Sequence, residues 1–228
     1  VAQFVQEYAV LRWVVVGAFL IAAAIVLARV TAAVPLLGRQ VELAAVAAES
    51  PVKDDSVHAE SDAAHVVMCL VMLGMLLFPS SASPHALRGV LTAMAVVFAA
   101  LLVARAAEHA AQGRPVPVDR LIPLGYHIAA TAVMLYAMSG HTAAGHAGGP
   151  AAVPALGLAA LFLLDALLVA FAARGGWTLA HNRGPLGLLL RSGGCVAALT
   201  GPARPWAAVP HVVMDAGTAY MLVAAISG

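Results

Sequence analysis

The chain has 228 residues, of which 62% are hydrophobic and only 10% charged, and its formal net charge is +1. Soluble domains carry roughly 45–50% apolar and about 25% charged residues, so this composition, with a mean hydropathy of +0.93, excludes a soluble domain and predicts a polytopic membrane protein. The near-neutral balance gives no basic field to draw nucleic acid, and two cysteines on separate apolar segments, Cys69 and Cys195, make no disulfide framework.

A spanning helix needs about 20 mostly apolar residues. Six such segments are predicted, near 9–30, 62–79, 86–107, 121–139, 153–173 and 206–227. The expected fold is an all-α, polytopic transmembrane helical bundle, with residues 1–228 as one domain. The chain begins at Val1 rather than Met, so its start is processed, missing or read from an alternative codon. The first segment has no basic stretch before it and runs long, so a span is expected there rather than a cleaved signal.

The second span is short, with Pro79 and Pro84 bounding a tight turn into the third. Pro123 and Pro154 are expected in the first turns of their helices, where a missing N–H costs little. The connection 31–61 is polar at its end, with a candidate interfacial helix at VELAAVAA. The connection 174–205 holds a short apolar run, GPLGLLL, suited to the membrane surface. Ten of the twelve Lys and Arg residues lie in or beside the first, third and fifth loops, and only Arg12 and Arg88 on the other side. The positive-inside rule then predicts a bacterial cytoplasmic membrane protein with those loops inside and both termini outside.

Three spans share one pattern. The second carries His65, Met68, Met72 and Met75; the fourth His127, Met134 and Met138; the sixth His211, Met214 and Met221. At 100° per residue the first and third sets each fall within an arc of about 80°, and the second, with His141 added, within about 60°. The second, fourth and sixth spans run parallel in any alternating topology, and each His stands near the start of its span. A layer of three imidazoles is therefore expected near one end. Residues seven apart on a helix are about 10 Å apart along its axis, so one ion cannot bind both His65 and Met72. His65 with Met68, and His211 with Met214, could share one. The pattern reads as a ladder, with His141 and His146 as candidate ligands at its far mouth.

Imidazole and thioether are ligands for a soft ion such as Cu(I). Packing is the competing explanation, because Met fills irregular gaps and a span-end His can sit at the headgroup level. Asp165, in the middle of the fifth span, and Asp215, four residues after His211, are candidates for orienting a ligand or relaying a proton. Tyr126, Tyr136, Trp13, Trp177 and Trp206 are expected as interfacial aromatics. No phosphate-loop, zinc-protease or CxxC motif is present.

The segments LRWVVVGAFL, AHVVMCLVMLGMLLFP, YHIAATAVMLYAM with its His/Gly loop, and PHVVMDAGTAYMLVAAI resemble an actinobacterial membrane family, domain-of-unknown-function family 5134. The resemblance leaves out 31–61 and 174–205. It implies an integral membrane protein with His and Met in its helices and supplies no activity.

Three functions remain open. The leading expectation is a membrane protein that binds or passes Cu(I) through His65, His127 and His211, with Met68 and Met214 beside them and Met72, Met134, Met138 and Met221 along the path. Its chemistry would be ligand exchange without turnover. The alternatives are a haem b redox protein and a structural accessory subunit of a membrane complex. The lipid bilayer is a partner in all three.

Overall fold

The computed structural model describes residues 9–44, 55–77, 83–113, 118–139, 141–142, 145–146, 149–171, 173–174 and 205–227. Among them are six α-helices: α1 Ala9–Ala44, α2 Asp55–Leu77, α3 Pro84–Ala111, α4 Val118–Ala137, α5 Ala152–Phe171 and α6 Val209–Ser227. A two-residue antiparallel pair, β1 (His141–Thr142) and β2 (Gly145–His146), joins α4 to α5. A 3₁₀ turn, Pro205–Ala208, leads into α6.

Both ends of α3 and the start of α5 have local causes. Pro84 opens α3 behind an extended Ser83, where its missing N–H would have no partner anyway. Gly113, with φ +61°, ends the same helix in the left-handed region that glycine enters freely. Pro154 falls in the first turn of α5, as expected. Pro123 does not: α4 starts at Val118, so this proline lies inside the helix and removes one ladder hydrogen bond. The helix α1 also continues past residue 30 to Ala44. The first residues of VELAAVAA thus end that helix instead of beginning a separate one, and the remainder lies outside the described residues. So do GPLGLLL, Trp177, His181 and Cys195.

Four helices hold segments long and apolar enough to cross a membrane: Ala9–Ala28, His85–Ala111, Ala152–Phe171 and Val209–Ile226. The apolar parts of α2 and α4, Ala63–Leu77 and Leu121–Ala137, are shorter because their first turns are polar. These are the helices that carry His65 and His127.

The helix α6 is the hub. It packs against α5, α1, α4 and α2, while α1 lies along α2 and α3 along α4. Within its apolar window 61% of residues are buried, against 17–28% in the other three span candidates. Small residues make this possible, since backbones approach closely where side chains are short. The place a Cβ would take on Gly217 is occupied by the Phe19 ring, with Met72 Cε 3.0 Å away. At Gly149 the corresponding place lies 2.5 Å from the Ala225 carbonyl oxygen.

The outer faces of α1, α3 and α5 are apolar and uncovered. Val14, Val103, Leu161 and Leu167 are each more than 60% exposed. Soluble proteins seldom present continuous apolar surface of this kind; acyl chains cover it without cost. Together with the span candidates, this makes the protein an all-α, multi-pass membrane protein associated with the bilayer.

Candidate functional site

His65, His127 and His211 are 5%, 1% and 0% exposed, and their helices bring them together. The His65 ring centroid is 4.9 Å from that of His127, at 83°, and 6.2 Å from that of His211, at 63°. Each His stands within the first two turns of the apolar segment of its helix, which puts the three at similar depth; the packing of α2 and α4 against α6 turns their faces toward each other. The Gly217–Met72 contact checks that register independently. Gly217 is six residues past His211 and Met72 seven past His65, which are axial rises of about 9 and 10.5 Å.

Two aromatic rings close the cluster. Phe98 of α3 stacks on His127, with centroids 5.3 Å apart at 29°. Tyr126 leans on His211, with centroids 4.9 Å apart, and meets Phe162 of α5 edge-on at 6.1 Å. The Tyr126 hydroxyl donates to Asp215 Oδ1. Tyr126 is thus part of the buried cluster, not an interfacial aromatic. The sequence offered one signal for this: Tyr126 immediately precedes His127, so both project near the same level from adjacent positions on α4.

Both acids also reach His211. Its Nε2 lies 2.9 Å from Asp165 Oδ2, in hydrogen-bond geometry, and 3.2 Å from Asp215 Oδ2. Asp165 comes from the face of α5 that packs on α6, which gives this mid-span carboxylate a partner. The two buried hydroxyls nearby are otherwise engaged: Thr131 donates to the His127 carbonyl at 2.6 Å and Thr218 to the Met214 carbonyl at 2.9 Å. Such back-bonding to the preceding turn satisfies a Thr without a second partner.

By contrast, neither His127 nitrogen, Nδ1 or Nε2, has a hydrogen-bond partner among the described residues. At 1% exposure that is costly. A buried polar group left unsatisfied costs about 1–3 kcal/mol.

Beyond the imidazoles, Met68, Met72, Met75, Met134, Met138, Met214 and Met221 are all buried in one continuous core. Met94, which the sequence pattern leaves apart on α3, joins the same core. It stands one turn before Phe98, the residue stacked on His127. Because α3 runs antiparallel to α4, this puts Met94 about 6 Å from the imidazole level, toward the methionine end. Cys69 is a buried free thiol in that core.

At the far end, β1 and β2 pair His141 with His146 across the two strands; their side chains lie outside the described residues. Arg88 Nη2 donates to the Met138 carbonyl at 2.6 Å and ties the start of α3 to the end of α4. Tyr136 donates to the Ala151 carbonyl at 3.2 Å. Trp13 and Trp206 are exposed, as interfacial aromatics should be. His85 is exposed, and His109 is half-buried in the last turn of α3.

No curated protein and no solved structure matches this chain. One family model does, over residues 57–225. That span starts at α2, so it leaves out the LRWVVVGAFL segment but takes in all three His–Met helices, both acids, and the 174–205 connection that the sequence resemblance set aside. With about three quarters of its length matched, the chain belongs to the family described as domain of unknown function DUF5134.

Proposed function

We propose that this protein binds, and passes across the cytoplasmic membrane, a soft transition-metal ion of the Cu(I) class, held first by His65, His127 and His211. The observation that carries the proposal is the convergence of three buried imidazoles, with neither ring nitrogen of His127 hydrogen-bonded among the described residues.

Distances favour one shared ion. Two imidazoles on one metal, each with a bond of about 2.0–2.1 Å, hold their centroids roughly 4.5–6.2 Å apart over bond angles of about 90–150°. The two separations, 4.9 and 6.2 Å, fall at or within those limits. Met68 and Met214, three residues on from His65 and His211, are fully buried and supply the thioethers that a soft ion prefers.

His211 has a defined part. Its Nε2 is occupied with Asp165 and Asp215, so the lone pair available to a metal is on Nδ1. The carboxylates orient the ring and offset the charge of an ion in an apolar bundle. Tyr126 extends this support by fixing Asp215. The buried methionines then form weak stations away from the imidazoles, and exchange between them needs no chemical turnover. The Lys/Arg asymmetry supports an imidazole end on the cytoplasmic side.

Haem b fits less well. Axial imidazoles stand on opposite faces of a macrocycle, and a His65–His127 separation of 4.9 Å leaves no room for one between them.

Metal analysis tests the proposal. Protein purified in mild detergent from copper-fed cells under reducing conditions should hold about one copper per chain by mass spectrometry. The triple variant His65→Ala, His127→Ala, His211→Ala should hold none. Unchanged copper content in the triple variant would overturn the proposal, and a Soret band in the wild type would replace it with the haem function.

A further inference from the structure

We infer that Asp165, His211 and Asp215 form a second cation seat, distinct in chemistry from the three-imidazole seat and suited to a divalent first-row ion that takes carboxylate oxygen together with imidazole nitrogen. It shares His211 with the seat proposed above but does not rest on it.

The geometry is that of ligands around a common centre. The three donor atoms all lie within 4.8 Å of one another. His211 Nε2 is 2.9 Å from Asp165 Oδ2 and 3.2 Å from Asp215 Oδ2. Ligands about 2.1 Å from one ion stand roughly 3.0–3.4 Å apart at octahedral or tetrahedral angles. The donors come from two helices, α5 and α6, which pack along each other, and Tyr126 of α4 anchors the remaining oxygen of Asp215.

An independent observation points to a ligand. A single Nε2 hydrogen cannot serve two carboxylates. It goes to Asp165, which meets Nε2 in hydrogen-bond geometry. Asp215 Oδ2 is left at zero exposure, 3.2 Å from the same nitrogen and beside the Asp165 carboxylate, with no other donor among the described residues. A divalent cation at Nε2 satisfies both carboxylates and the ring nitrogen together; the ring's one proton moves to Nδ1, so the imidazole stays neutral. Two oxygens and one nitrogen make a harder site than imidazole with thioether, so the two seats should prefer different ions.

Two probe ions separate the seats. Mn²⁺, followed by the loss of its free-ion paramagnetic resonance signal, reports the carboxylate seat. Ag⁺, followed by mass spectrometry, reports the imidazole and thioether seat. Wild-type protein in detergent should bind one Mn²⁺. Asp165→Asn and Asp215→Asn should each weaken Mn²⁺ binding about 100-fold or more but Ag⁺ binding only about 10-fold, because they would touch Mn²⁺ directly and the soft ion only through the His211 ring; circular dichroism should show that both variants are folded. His127→Ala should do the reverse, and His211→Ala should weaken both.

Wild-type protein that binds no Mn²⁺ overturns the inference. So does Mn²⁺ binding that survives both Asn substitutions, or that is lost with Ag⁺ in His127→Ala. Loss of Ag⁺ binding alone in wild-type protein would instead overturn the soft-metal function and leave this seat standing.

Discussion

The two ends of the helical bundle are built by different forces. At one end, Asp165, His211, Asp215 and Tyr126 are held by directional polar contacts between helices. At the other, methionines, Phe19 and small residues meet by shape, and the polar ties there, Arg88 to Met138 and Tyr136 to Ala151, reach only backbone carbonyls. Polar contacts inside a bilayer specify atoms and angles, because an unsatisfied group finds no water. Methionine packing specifies volume and little else. A small change at the first end should therefore alter chemistry and leave the fold, whereas the second should tolerate conservative exchange until volume is violated.

The largest break in that contrast is His127→Ala. It removes a proposed ligand whose loss should exceed the 10–100-fold typical of an outer-sphere partner, so copper affinity should fall by about 100-fold or more. Competition with a copper chelator measures it, and the helical signal by circular dichroism should stay. Gly217→Val is next and works in the other direction. Its side chain would enter the space of the Phe19 ring and Met72, and overpacking of this kind typically costs about 1–3 kcal/mol. Thermal unfolding in detergent should show the loss, and wild-type stability would mean that α1 and α6 are not pressed together there.

A subtler substitution is Tyr126→Phe, which deletes one hydroxyl from Asp215 and keeps the ring against His211. Copper affinity should drop about 10-fold with little change in unfolding temperature. An equal drop in stability would reduce Tyr126 to a packing residue. The smallest effect belongs to Met72→Leu with Met134→Leu, a volume-conserving exchange that should cost less than about 1.5 kcal/mol per site. It sharpens the contrast through transport. If the methionines are stations, copper flux in proteoliposomes should fall while equilibrium binding at the imidazoles holds. Equal flux would leave the column as packing.

Much of this was legible before folding. The 3.6-residue period placed His65, Met68 and Met72 on one face, and the shared position of each His near its span start set a common depth. Other features were hidden. Tyr126 read as an interfacial aromatic because its partner Asp215 is 89 residues away. Met94 stood alone because no His lies within two turns of it on α3; its link to the site passes through Phe98 and the antiparallel run of α3. The full length of α1 was missed because hydropathy marks where a helix can sit in lipid and not where its backbone hydrogen bonds end.

Class, membrane setting and the stripe of His and Met on each helix were already contained in composition and local periodicity, since both are properties of one segment and its solvent. Whether three stripes face one another was not. The rotation of a helix about its own axis depends on what fits beside it: the ring of Phe19 in the notch at Gly217, Asp165 turned onto His211, and Phe98 laid flat on His127. Those contacts join residues far apart in the chain. They come into being only when the helices pack, and it is packing that turned three separate imidazoles into one cluster.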